Sequence, residues 1–312
     1  GNNGNDRQIR IMNMAGGETQ TAGEIIDAKT IFPSYPTWVR SDYIRNYTPI
    51  SYAYSDNGNI KIARSDGTIE TVTNSSHTDE APSIDRSGNK VTFNRNSEIF
   101  LAHRSSSGFN IQQVTESIGH TSITSSVSPD GAKIAFSKTD GPYDIFVSDI
   151  GGENISNLTN SSGYAEGAVW SPDGSKIAFS TNIDGGAPEI YIMNSNGSSK
   201  TRLTINSSTD WHPAWSPDGK KLVFTSHRNG IPQLFMMDAN GDNVVQLTNS
   251  QTGADKHPSW SGNGTIIFTS TRDDPNGEIY TIDPNGPKIL GLPTPTRITS
   301  QTGSQTHARW TR

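Results

Sequence analysis

An all-β fold, a six-bladed β-propeller of four-stranded antiparallel blades, is the fold class the sequence predicts, on three observations. A short motif recurs as "SIDRSGNKVTF" from residue 83, "SVSPDGAKIAF" from 126, "VWSPDGSKIAF" from 169, "AWSPDGKKLVF" from 214 and "SWSGNGTIIF" from 259. Its turn glycines, Gly88, Gly131, Gly174, Gly219 and Gly264, are spaced 43, 43, 45 and 45 residues apart, the period of a propeller blade. The segment "THARWTR" from residue 306 reads as a blade's first strand with no chain behind it. It is expected to pair with the strands that begin near residue 49 and close the ring, so that no sheet edge stays open.

Each element of the unit has a local cause. The first strand ends on Trp170, Trp215, Trp260 or Trp310, a ring large enough to fill the wedge between neighbouring sheets. In the Ser-Pro-Asp-Gly turn that follows, proline presets φ, aspartate bonds back to the backbone, and glycine takes the left-handed position that closes a hairpin. An apolar second strand such as "KLVFTS" leads through a polar loop to a third such as "EIYIMN". A second hairpin at Asp66-Gly67, Asn196-Gly197, Asn240-Gly241 or Asn285-Gly286 leads to a fourth strand such as "TRLT". Residues 49–312 make the propeller and residues 1–48 an extension packed on it. Seven blades is the rival count, because "YPTW" at 35 resembles "HPAW" and "QIRIMN" at 8 resembles "EIYIMN".

The stretch W-S-P-D-G-x-K-[IL]-[AV]-F, followed by E-I-Y-[IT]-[MI]-[ND] and R-L-T, resembles the TolB-like β-propeller repeat family over roughly residues 49–312. The resemblance implies the fold, and contact with a protein at the cell envelope through the channel rim. The chain departs from the pattern at Ile84 and Val127, where Trp is expected, and at the Gly-Asn-Gly of the unit at 259.

Composition narrows the function classes. A hydrophobic share of 31% with 30 Gly and 17 Pro suits short strands and tight turns. The net charge of −6, with no basic stripe, argues against nucleic acid as a partner. There is no cysteine, hence no disulfide framework and no thiolate site. No apolar run is long enough to span a bilayer. The polar start "GNNGND" reads as the tether of a processed, exported protein, periplasmic or at the cell surface. A monomer is expected.

No catalytic motif is present: no G-x-S-x-G elbow, no H-E-x-x-H, no Walker loop and no sialidase-type Asp box. What remains is a constellation set by the repeat. "STDWHPAW", "GADKHPSW" and "GSQTHARW" place His212, His257 and His307 each three residues before a tryptophan, on three consecutive blades. Asp210, Asp255 and Gln305 stand two residues earlier. Because first strands line the channel, these residues are expected to converge on one rim, with Trp211 exposed beside them to stack on a sugar or anchor a peptide. No cofactor is expected, although three imidazoles on adjacent strands could hold a divalent metal or an anionic ligand. The bland alternative is that Asp79, Asp210 and Asp255 fasten loops by bonding turn amides while the histidines fill half-buried slots. Asp273 and Asp274 read as a polar turn before a calcium loop, and Met236 and Met237 as core.

The resulting expectation is a non-catalytic exported binding scaffold for a protein or a glycan at the channel rim. Two alternatives stand beside it. One is a metal-assisted lyase of uronate-containing polysaccharides, by analogy with pectin-degrading propellers that use channel histidines, with Arg309 meeting a carboxylate. The other is a structural surface-layer or adhesive module.

Overall fold

The computed structural model describes residues 51–310, apart from 65, 86, 117–121, 140–141, 290 and 300–303. The extension expected over residues 1–48, and with it "QIRIMN" and "YPTW", lies outside the described residues.

Six four-stranded antiparallel sheets stand in a ring. Blade one joins the chain ends: Gln305–Trp310 is its inner strand, followed outward by Ser51–Asp56, Asn59–Arg64 and Ile69–Thr71. The inner strands of blades two to six are Asp79–Ile84, Ser122–Val127, Ala165–Trp170, Asp210–Trp215 and Asp255–Trp260. Each packs on the inner strand of the next blade, and Asp255–Trp260 packs on Gln305–Trp310. The count is therefore six, not seven, and the terminal strand closes the ring as its sequence requires: Tyr52 pairs with Trp310 and Asp56 with Gln305. Blade six departs from the simple hairpin expected at Asn285-Gly286. A small hairpin, Lys288–Ile289 with Leu292–Pro293, intervenes before the fourth strand, Thr296–Arg297.

The recurring residues do recurring jobs. All five turn glycines have φ between 69° and 88°, where a Cβ would be strained. In the Pro-Asp-Gly turns the preceding serine binds the turn aspartate, as Ser171 does to Asp173, and accepts a bond from the N–H of the strand's first residue, Lys176. The phenylalanine that ends the motif, Phe93, Phe136, Phe179, Phe224 or Phe268, is fully buried. It faces an aromatic on the third strand (Phe100, Phe146, Tyr191, Phe235, Tyr280) at ring-centroid distances of 5.7 to 6.1 Å, a cross-strand pair of the kind that stabilises a sheet. Trp170 wedges against Ala135, Ile145 and Val147 of the blade before it, and its indole N–H donates to the Ser126 carbonyl at 3.1 Å. Met237 is buried core.

The Leu-Thr of the fourth segment is a latch. Thr115, Thr159, Thr204 and Thr248 each accept a bond from an N–H near the start of the third strand, that of Ile99, Ile145, Ile190 or Leu234. Each also donates to the acidic or amide side chain just before it, Glu98, Asp144, Glu189 or Gln233. One hydroxyl thus satisfies two buried groups, which is how a two-residue outer strand can be held at all.

Candidate functional site

The inner strands share one irregularity. In each the register slips by one residue, for example between Trp211 and Ala214 and between Lys256 and Ser259, so the strand carries a β-bulge that re-aims the third residue. Third-position residues around the ring are Ala81, Thr124, Gly167, His212, His257 and His307. Gly167 adopts the left-handed bulge conformation at φ 67°, and Ala81, His212, His257 and His307 are forced into it at 49° to 57°. Histidine tolerates this region better than most residues, yet three consecutive non-glycine residues there are held against strain.

The bulges bring the three imidazoles together. Ring centroids lie 4.3 Å apart for His212 and His257 and 4.1 Å for His257 and His307, tilted by 49° and 37°. Contact at that range between three different strands is possible only where the inner strands converge on the channel. Opposite stand Ala81, Thr124 and Gly167, so the ring is walled by imidazoles on one side and small residues on the other.

Electrostatics keep these rings neutral. Burial comes first, and the positive charges of Arg309 and Lys256 add to it: His212 is pushed down to about 3 and His307 to about 4, and His257 lies well below its ordinary value. The folded state therefore resists protonation that the unfolded chain accepts near pH 6.5. Stability from the trio is fully present above that pH and is lost as pH falls toward 4. Glu166, held up by burial, works with the opposite sign. Replacing all three histidines with Asn, which also tolerates left-handed φ, is expected to flatten the fall in melting temperature between pH 7 and 4.5; parallel curves for the two proteins would contradict the assignment.

The acidic candidates occupy a different place. Asp210 and Asp255 are 0% exposed and Gln305 2%, so their side chains are closed off from solvent. Asp79, Asp210 and Asp255 bind Arg95, Arg228 and Arg272 at 2.6 to 2.9 Å, arginines rather than the turn amides expected. Each guanidinium also lies over the blade's aromatic pair, as Arg228 does 4.5 Å from the Phe235 centroid. These are structural fasteners. Trp211 is half-buried, not exposed as expected: its ring stacks on His212 at 5.4 Å and meets His227 edge-on at 5.1 Å. His227 was not foreseen, since it falls in a loop outside the repeated slot. Asp273 accepts a bond from the Tyr280 hydroxyl, and Asp274 bonds the Asn276 N–H at 2.8 Å, as a polar turn does.

A divalent metal would need donor lone pairs converging on one point at about 2.0–2.2 Å. Among the described residues no three His, Asp or Glu side chains are so arranged. The imidazoles pack ring against ring, and His307 Nδ1 is engaged by Thr306 Oγ1 at 2.9 Å. His212 Nδ1 and His257 Nδ1 are buried without a hydrogen-bond partner among the described residues.

Comparison with known proteins gives the fold a family. The family model for the TolB beta propeller domain matches residues 96–292. No curated protein sequence matches the chain. Among solved structures, TolB from Acinetobacter baumannii is similar at 24% identity and a TM-score of 0.70, over 85% of this chain and 67% of that one. A chain of a nidogen/laminin complex is similar at 12% identity and 0.66, over 84% and 98%. An oligogalacturonate lyase in complex with manganese is similar at 13% identity and 0.52, over 72% and 68%. At these identities the likeness is one of fold.

Proposed function

Because the chain belongs to the TolB beta propeller domain family, we propose that it is an exported, non-catalytic scaffold that grips a segment of a partner protein at one end of its channel. The observation that carries this reading is the lopsided ring: three strained imidazoles on blades five, six and one face Ala81, Thr124 and Gly167. A wall of flat, uncharged rings opposite small residues leaves one side of the mouth open to an inserted chain, while rigid sheets hold the wall in place. Lys256 and Trp211, second residues on the same strands, extend the wall with a cation and an aromatic, side-chain types common in binding patches. Membership of a family whose relatives include TolB supports a protein over a glycan. Among the described residues no helix is long and apolar enough to cross a membrane. A photo-crosslinker at position 256 is expected to capture the partner, and one at Ile155, which is 48% exposed on the outer perimeter, is not.

A further inference from the structure

The fifth residues of the inner strands are Ser83, Ser126, Val169, Ala214, Ser259 and Arg309; Ala214 is buried in the core of blades five and six, and the other five line the channel. Five are small and one is an arginine. Ser83, Ser126, Val169, Ser259 and Arg309, with Ser125 and the apolar Ile84 and Val127, line a cavity of about 30 Å³ whose lining contains no Asp or Glu, a space that holds roughly two waters or one small anion.

Arg309 stands apart from the other described arginines. Arg64, Arg95, Arg104, Arg202, Arg228, Arg272 and Arg297 each pair with a carboxylate. Among the described residues Arg309 has no such partner, and its one hydrogen bond runs from Nη1 to the Pro258 carbonyl at 3.0 Å. A half-buried guanidinium without a counter-charge is costly to the fold, and its remaining donors form a planar fork that suits a carboxylate. Lys256 and three neutral imidazoles add no negative charge nearby.

We propose that this cavity is a carboxylate-binding site, with Arg309 holding a single carboxylate inside the channel among the hydroxyl-bearing walls. The carboxylate is either that of a small free acid or an acidic terminus or side chain at the tip of the inserted segment. The second source rests on the binding reading above, and the first does not.

The test uses the intact chain and exchanges sodium chloride for sodium formate at constant ionic strength, following the melting temperature. Wild type is expected to show a saturable rise with formate. Arg309→Ser, which gives blade one the residue that blades two, three and six already carry, is expected to fold, to show no formate-specific rise, and to melt no lower than wild type in chloride. Arg309→Lys should keep only part of the rise, because it keeps the charge and loses the fork. A short peptide ending in Asp is then added: displacement of formate at lower concentration assigns the site to a partner's carboxylate, and formate binding without peptide binding assigns it to a free acid. No rise in wild type, or an equal rise in Arg309→Ser, overturns the site. Formate binding that survives beside a failed crosslink at position 256 would remove the partner and leave the anion site standing.

Discussion

Removing residues 305–312 is expected to abolish cooperative folding altogether. The segment is the inner strand of blade one, and its loss leaves the inner edge of Ser51–Asp56 without a partner strand. It also strips Ala308 from a cluster with Tyr54, Ala63, Ile267 and Ile279, and so uncovers the facing sides of blades two and six. The cost is then the blade, two interfaces and an open sheet edge that invites association. Against a total stability of about 5–15 kcal/mol for a typical domain, losing two of six interfaces leaves no folded margin. Calorimetry should show no two-state transition for the truncated chain, with recovery when a synthetic peptide of residues 304–312 is supplied. A cooperative melt within a few degrees of wild type would show that the ring does not depend on its closure.

Asp255→Ala is expected to be the most damaging single substitution among the candidate residues. Asp255 is fully buried and binds Arg272 at 2.7 Å, while Arg272 lies 4.9 Å from the Tyr280 centroid and 5.8 Å from that of Phe268. Removing the carboxylate leaves a largely enclosed cation stacked on its aromatics with nothing to balance it. Breaking a buried pair by deleting one partner costs about 3–5 kcal/mol, or a fall of roughly 10 °C for a domain of this size. The double variant Asp255→Ala/Arg272→Met should recover much of the loss, since it removes the orphaned charge and keeps an apolar stem against the rings. A single variant that melts within about 2 °C of wild type would mean that the pair is not a fastener.

The turn glycines, the tryptophan wedge and the ring closure were legible in the sequence because each is local chemistry repeated at a fixed period. The convergence of His212, His257 and His307 was legible for the same reason. Their conformation was not: a bulge leaves no mark in one copy, and it shows only when Gly167 is aligned with the three histidines. The Asp–Arg fasteners carried a signal that went unread. Arg95 ends its second strand, and Arg228 and Arg272 stand two residues beyond theirs, only in blades whose inner strand opens on Asp; blades three and four open on Ser122 and Ala165 and lack the arginine. The solitary character of Arg309 has no sequence signature, because it depends on which carboxylates the fold leaves out of reach. The half-buried state of Trp211 depends likewise on His227, which the fold brings in from the loop after the second strand.

One mouth of the channel, on blades five, six and one, is expected to receive a partner. Photo-crosslinking at positions 256 and 155 in cells that make the protein, with and without Asn at positions 212, 257 and 307, tests this. One discrete adduct is expected at 256, none at 155, and none at 256 in the triple variant. Equal capture at both positions, or capture at 256 that the triple variant leaves unchanged, would contradict that expectation.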